Sequence, residues 1–209
     1  TMSKHTVIAA VDLGAESGRV SLGRFDGARL EIEVVHRFPN RPVRLAGTLH
    51  WNPTQLFDEI LQGLCKAKDV STEPVTAVGI DTWGVDFGIL DADGRLLGVP
   101  VHYRDRRTEG MIEEVTARIP RAEIFRQSGI AFWPFNTLYQ LYALAKAGSP
   151  LLREGRTLLF TPDLLHYWLC GARVSERSIA STSQCLAVGE DAWLGGLLES
   201  LGIPPRLLP

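Results

Sequence analysis

Long apolar runs, paired cysteines and a strong charge of one sign are all missing from this 209-residue chain, and each absence removes a class of function. No hydrophobic stretch approaches the roughly 20 residues needed to span a bilayer. Val7–Val11 is far too short and lacks signal-peptide flanks, so no membrane partner is expected. The three cysteines, Cys65, Cys170 and Cys185, are odd in number, far apart and in no Cys-x-x-Cys pair. That spacing argues against a disulfide framework and a structural zinc site, and points to free thiols in a reducing cytoplasm. A net charge of -2 and a pI near 6.2 give no reason to expect nucleic acid or an anionic membrane as partner. His36, His50, His102 and His166 lack ligand-like spacing and read as solvated or structurally bonded imidazoles.

What is present is ordinary globular material, 45% hydrophobic and 22% charged, enough for one large domain or a domain with an appendage. Thr1-Met2-Ser3-Lys4-His5 reads as a tag remnant and is set aside. Val7–Val11, Arg19–Phe25 and Leu30–Phe38 are apolar or alternating runs separated by Gly-bearing turns, which predicts an antiparallel meander. Pro39–Leu49 reads as a loop or irregular edge hairpin. Asn52-Pro53 supplies an N-cap and a first-turn proline for a helix running to about Lys68. Val75–Ile80 and Val85–Leu90 are the next expected strands, with a short extended piece at Val99–Val101. Apolar residues at helical spacing then predict helices over Met111–Ile119, Arg121–Gln127, Asn136–Lys146 and Pro162–Cys170, the last ended by Gly171. Leu158–Phe160 is a short apolar run, and Leu197–Leu208 a short helix with a Pro-rich exit. The order predicts an α/β fold with a mixed sheet flanked by helices.

Two segments carry candidate chemistry. In the first, Asp12-Leu13-Gly14-Ala15-Glu16-Ser17-Gly18-Arg19 lies between two predicted strands. Glycines permit a tight turn and close ligand approach, and such a turn can aim successive N–H groups at an anion. Ser17 adds a hydroxyl donor, Arg19 a countercharge, and Asp12 a carboxylate able to hold Mg²⁺ through water. The bland alternative is a plain hairpin with polar turn residues. There is no Gly-Lys-Ser/Thr of a Walker A loop, and a strand follows the turn where a dinucleotide fingerprint needs a helix.

The second segment is Gly79-Ile80-Asp81-Thr82-Trp83-Gly84-Val85-Asp86-Phe87. Gly84 lets a ligand touch backbone, Trp83 offers a flat face for a sugar ring, and Asp81 and Asp86 could accept hydroxyl hydrogens. An aromatic in such a place is more often core. Arg104–Arg107 reads equally as a solvated run or a substrate-site element.

Together these segments resemble the FGGY family of carbohydrate kinases. The first matches that family's Asp-x-Gly-x-x-Ser-x-Arg phosphate hairpin. Asp81–Phe87, Tyr103–Thr108, Ser128-Gly129 with Pro134–Leu141, Pro162–Leu165 and Ser181–Gln184 extend the similarity across nearly the whole chain, most closely to the branch acting on L-rhamnulose. The resemblance implies an actin-like ATPase (ribonuclease H-like) fold. It implies ATP-dependent phosphorylation of L-rhamnulose to its 1-phosphate, with ATP and Mg²⁺ as cofactors and a cytoplasmic setting. A kinase for xylulose, fuculose or glycerol, or a non-catalytic sugar- or nucleotide-binding module, stays open, as does a homo-oligomer. Residue by residue it assigns Asp12, Gly14, Ala15, Glu16, Ser17, Gly18 and Arg19 to ATP, Asp12 also to the metal, and Trp83, Gly84, Asp86, Tyr103 and Arg104 to the sugar. For Asn136 helix capping is at least as good a reading.

Two positions depart from the family pattern. Glu16 stands where a small residue is usual, and its carboxylate would repel phosphate unless turned to solvent or to the metal; Ile179 replaces an expected polar residue. The family's catalytic aspartate lies in a His-Asp-Thr segment, and the chain has no His-Asp pair. The expectation is therefore an N-terminal sugar-kinase domain over residues 1–209, with the base beyond Pro209, the second ATP-binding domain absent and the fragment inactive alone.

Overall fold

A computed structural model describes residues 6–209, so the tag-remnant reading of Thr1–His5 lies outside the described residues. The chain divides into two compact units, one built from residues up to Val43 with Asn52–Trp83, the other from Arg44–Trp51 with Gly84–Pro209.

The first unit is a four-stranded mixed sheet with one helix. Its strands are β1 (Thr6–Leu13), β2 (Ser17–Phe25) and β3 (Leu30–Pro39), and the helix is α1 (Pro53–Val70). Two short strands, β4 (Val43–Leu45) and β5 (Thr48–His50), pair with each other in a hairpin that falls almost wholly in the second unit, while β6 (Val75–Thr82) completes the main sheet. The spatial order is β3-β2-β1-β6, with β1 antiparallel to β2 and parallel to β6. Alternation decides the faces: Val7, Ala9, Val11 and Leu13 are buried while their neighbours are partly or fully exposed. Burial of each of the valine and leucine side chains contributes about 1.5–3 kcal/mol. α1 starts where expected, the Asn52 side chain accepting from the Gln55 N–H at 3.3 Å with Pro53 in the first turn. The helix lies close on the sheet at Gly63, where a Cβ would stand 2.3 Å from a Val20 methyl. The expected loop at Pro39–Leu49 contains the β4–β5 hairpin, turned by Ala46 and Gly47, both at positive φ.

The second unit is mostly helical. β7 (Phe87–Leu90) pairs antiparallel with β8 (Thr157–Phe160), Phe87 opposite Phe160. Around this ribbon run α2 (Met111–Arg118), α3 (Arg121–Ser128), α4 (Thr137–Lys146), α5 (Pro150–Glu154), α6 (Thr161–Cys170), α7 (Arg177–Ser181) and α8 (Gly195–Ser200). Phe87, Ile89, Val115, Leu138, Leu141 and Phe160 form the centre of one buried cluster. Gly171, at φ 79°, ends α6 as expected. Several expectations shift. Val85-Asp86 is a turn rather than the start of a strand, because Val85 adopts φ 68°. Val99–Val101 gives only a single bridge from Val101 to His50. The apolar run at Leu158–Phe160 is a strand, and the expected Leu197–Leu208 helix is α8 followed by a 3-10 turn at Pro205–Leu207. Among the described residues, no helix is long and apolar enough to cross a membrane.

Candidate active site

The hairpin between β1 and β2 is shaped by its backbone and by one distant asparagine. The Gly14 N–H donates to the Ser17 carbonyl at 2.8 Å, closing the turn. Asn40, buried just after β3, straps it from outside: its Nδ2 donates to the Gly14 carbonyl and its N–H to the Glu16 carbonyl, each at 2.9 Å. Asn40 was not legible as part of the site, because its role depends on β3 returning beside Ser17. Among the described residues, the N–H groups of Ala15 and Glu16 donate to no protein acceptor, and both residues reach solvent. These are the hydrogens a terminal phosphate would need.

The backbone freedom expected of the glycines is not what they supply. Neither Gly14 nor Gly18 has positive φ. A Cβ on Gly18 would lie 2.4 Å from the Phe38 ring and 2.7 Å from Leu13, so packing demands its absence. At Gly14 the closest atom would be the Ser17 carbonyl oxygen at 3.3 Å. The register places Asp12 directly opposite Arg19, and their side chains pair at 3.0 Å while both stay about half exposed. Asp12 also lies beside Asp81 across the parallel β1–β6 pair. Mg²⁺ is held by one or two carboxylates with waters and substrate phosphates rather than by an all-protein cage. Asp12 fits that mode; a cluster of three or more metal-binding side chains does not occur among the described residues. Trp83, half-buried, closes this unit, its carbonyl accepting from the Thr82 hydroxyl at 2.8 Å.

In the second unit the chemistry gathers around Asp86, which is 1% exposed. One carboxylate oxygen accepts from Trp51 Nε1 at 2.5 Å and from the Tyr103 N–H at 3.1 Å; the other accepts from Gln140 Nε2 at 2.9 Å. Gln140 in turn donates to the Phe135 carbonyl at 2.8 Å and accepts from Arg107. Burial pushes the Asp86 carboxyl up to about 6, against the lowering effect of Trp51, Gln140, Tyr103 and Arg107. With both oxygens engaged, Asp86 shapes a wall through Tyr103 and Trp51 instead of offering a free hydroxyl acceptor.

The preceding residues are fixed as firmly. Val85 is a β-branched residue at positive φ, a strained state that persists only when its surroundings over-determine it. Its N–H donates to Thr182 Oγ1 at 3.2 Å, and its carbonyl accepts from Thr137 Oγ1 at 2.7 Å. A Cβ on Gly84 would lie 3.0 Å from Thr182 Oγ1, so the glycine permits this approach. The Ser181–Gln184 segment therefore matters as the support of the Gly84–Asp86 turn.

The Arg104–Arg107 run splits. Arg104 and Arg106 are exposed, whereas Arg107 is drawn inward to Gln140, and burial brings it down to about 10. The Arg104 guanidinium sits 5.2 Å from the Tyr103 ring centre. His102 stacks on Trp51 with centroids 3.9 Å apart, and burial, aided by Arg104, holds it near 4. His36 meets Glu59 at 2.7 Å and His50 meets the Val99 carbonyl at 3.0 Å, so these imidazoles are structurally bonded. Asn136 occupies the N-cap position of α4, but its side chain makes no capping bond; Nδ2 donates to the Ala131 carbonyl and to Gln184. The capping alternative is thereby corrected. Trp51 and Gln140 were missed, since each reaches Asp86 from a remote part of the sequence.

Comparison with known proteins covers this whole arrangement. The family model for the N-terminal domain of the FGGY family of carbohydrate kinases matches residues 7–209. The chain is 44% identical over 203 residues to a rhamnulokinase of Pectobacterium carotovorum, covering 96% of this chain and 41% of that protein. It is 40% identical over 193 residues to a rhamnulokinase of Oceanobacillus iheyensis, covering 92% and 41%. Among solved structures it superposes on a xylulose kinase of Lactobacillus acidophilus with TM-score 0.85 at 17% identity, covering 97% of this chain and 41% of that one. A gluconate kinase of the same organism gives TM-score 0.86 at 17% identity, covering 99% and 42%. The chain thus spans about two-fifths of the length of the relatives it matches.

Proposed function

The chain belongs to the FGGY family of carbohydrate kinases, and from that membership we propose that it is the phosphate-gripping part of a kinase that transfers the γ-phosphoryl of ATP to the primary hydroxyl of L-rhamnulose, giving the 1-phosphate. The observation that carries the reading is the pair of uncommitted N–H groups at Ala15 and Glu16, in a hairpin whose Gly14 N–H is held by Ser17 and whose Gly14 and Glu16 carbonyls are held by Asn40. Phosphoryl transfer asks a protein mainly for positioning and charge stabilisation. The two amides and the Ser17 hydroxyl would hold phosphate oxygens, and Arg19 would balance charge beside them. Asp12 would hold Mg²⁺ through water, and when bound the ion would neutralise charge on the phosphates.

For the sugar, Gly84, Tyr103 and Arg104 would supply backbone, ring face and guanidinium, with Trp83 a further aromatic face. Asp86 is a positioning residue: it fixes the Tyr103 backbone and acts through it. In the longer protein of this proposal, residues 1–209 form the N-terminal domain, a second domain completes the nucleotide site, and an aspartate base accepts the hydroxyl proton. We place the protein in the cytoplasm, in keeping with the unpaired thiols of Cys65, Cys170 and Cys185.

The test is sugar-dependent ADP release by the longer protein carrying this segment, assayed in parallel on L-rhamnulose, L-fuculose, D-xylulose and glycerol. L-Rhamnulose is expected to give the highest kcat/KM. A higher value on another acceptor would replace the substrate, and ADP release indifferent to all four would end the kinase reading.

A further inference from the structure

The turn from Ala131 to Asn136 presents an indole to solvent on a firm support. The Asn136 N–H donates to the Trp133 carbonyl at 3.0 Å, and Asn136 Nδ2 donates to the Ala131 carbonyl at 2.8 Å and to Gln184 Oε1 at 3.1 Å. On this pinned turn the Trp133 side chain is 55% exposed. It lies parallel to the Phe135 ring, with centroids 5.8 Å apart and planes 3° from each other. The Phe135 ring meets the edge of Tyr103 at 5.9 Å. Phe135 and Tyr103 are both suspended from the same buried pair, the first through its carbonyl on Gln140, the second through its N–H on Asp86.

A single exposed aromatic needs no explanation. Trp133 differs in being stacked, anchored by its backbone and continuous with residues assigned above to the sugar. A side chain set this way loses little entropy on contact with a ligand and gives up apolar area to water until something covers it. An aromatic face packs on C–H groups and leaves a hydroxyl pressed against it without a hydrogen-bond partner, so at the end of a ketose chain it suits a methyl better than a hydroxymethyl group.

We propose that Trp133, backed by Phe135, is a specificity-determining platform that takes the apolar deoxy end of a 6-deoxyketose. The proposal rests on the sugar-kinase reading and adds to it the reason for choosing a deoxy sugar. L-Rhamnulose and L-fructose differ only by the hydroxyl on carbon 6, so their affinity ratio reads the platform directly. Discrimination by one such group is worth on the order of 10- to 100-fold.

The experiment titrates both sugars into the longer protein carrying this segment by calorimetry or ligand-observed NMR, with Trp133→Ala and Trp133→Phe beside the unsubstituted protein. Far-ultraviolet circular dichroism checks that each variant is folded. The unsubstituted protein is expected to prefer L-rhamnulose by at least about tenfold, the alanine variant to bring the ratio close to one, and the phenylalanine variant to keep part of it. An unchanged ratio in folded Trp133→Ala, with sugar still binding, overturns the platform and leaves the sugar site standing. No binding of either sugar to the unsubstituted longer protein overturns the platform together with the sugar-site reading.

Discussion

The β1–β2 hairpin and the Asp86 cluster both stood out in the sequence as ligand sites, yet they spend their hydrogen bonds in opposite ways. The hairpin is solvent-exposed and keeps two backbone donors unspent, at Ala15 and Glu16. Asp86 is buried, and both of its oxygens accept bonds from protein donors. Groups that grip a transient ligand must be left open, whereas groups that fix a backbone must be saturated, because an unpaired buried polar atom costs about 1–3 kcal/mol. The contrast separates contact residues from positioning residues more sharply than residue type does.

The largest expected effect comes from breaking the saturated side. Asp86→Ala leaves Trp51 Nε1, the Tyr103 N–H and the Gln140 amide without their buried acceptor. Breaking a buried charged network by removing one partner costs about 3–5 kcal/mol. Urea unfolding should show that loss as a lower midpoint. A loss below about 1 kcal/mol would mean that the cluster does not hold the strained backbone at Val85 or the Tyr103 N–H in place.

A pH experiment separates burial from bonding. Asp86 is raised from 3.8 to about 6, so between those values the folded chain binds the proton more tightly than the unfolded one. Its contribution to stability therefore falls as pH rises through that window. His102 is lowered from 6.5 to about 4, so the unfolded chain binds more protons there and stability rises with pH. Asp163, buried and raised to about 6, has the sign of Asp86. The slopes of Asp86 and His102 oppose each other across one stacked Trp51 ring. Replacing Asp86 by Asn removes one of them, and the stability difference between the variant and the unsubstituted protein should shift by about 2 kcal/mol between pH 4 and pH 6.5. Parallel stability curves across that range would show that Asp86 does not titrate as its burial demands.

Returning to the hairpin, its two glycines offer a smaller contrast. Gly18→Ala forces a methyl into the Phe38 ring and Leu13, and overpacking of this kind costs about 1–3 kcal/mol. Gly14→Ala meets only the Ser17 carbonyl at a distance tight but short of overlap, and should cost far less. Equal losses in thermal unfolding would return the turn, rather than packing, as the reason for both glycines.

How much of this was readable beforehand follows the range of the interactions. β1, β2, β3 and α1 announce themselves through alternation, helical spacing and the Asn52-Pro53 start, all of which are local. Short elements such as β8, α5 and α7 carry too few residues to show a period. The site splits along the same line. The composition of the hairpin is contiguous and legible, but its Asn40 strap comes from 26 residues away. Asp86 was visible as a carboxylate, while the partners that bury it lie 35 residues before and 54 residues after it. Only the folded chain shows that its oxygens are spoken for. Trp133 was passed over for the opposite reason: a lone aromatic in a Pro-bearing turn has no pattern around it until Phe135 is seen to stack beneath.

Glu16 tests the open side of the comparison with the smallest expected effect. Its carbonyl is held by the Asn40 N–H, its own N–H is uncommitted, and its side chain is exposed. Placed beside a phosphate, that carboxylate repels it, and exposed charge pairs are worth about 0.2–1 kcal/mol. Glu16→Ser removes the charge and leaves the backbone strap intact, so the longer protein carrying this segment should bind Mg-ADP about two- to fivefold more tightly at low ionic strength. The gain should shrink as salt screens the repulsion. Weaker binding in the serine variant would assign Glu16 to the metal instead, as a second carboxylate beside Asp12. An affinity unchanged at every salt concentration would mean that no phosphate comes near the turn, and the two open amides would then lose their proposed ligand.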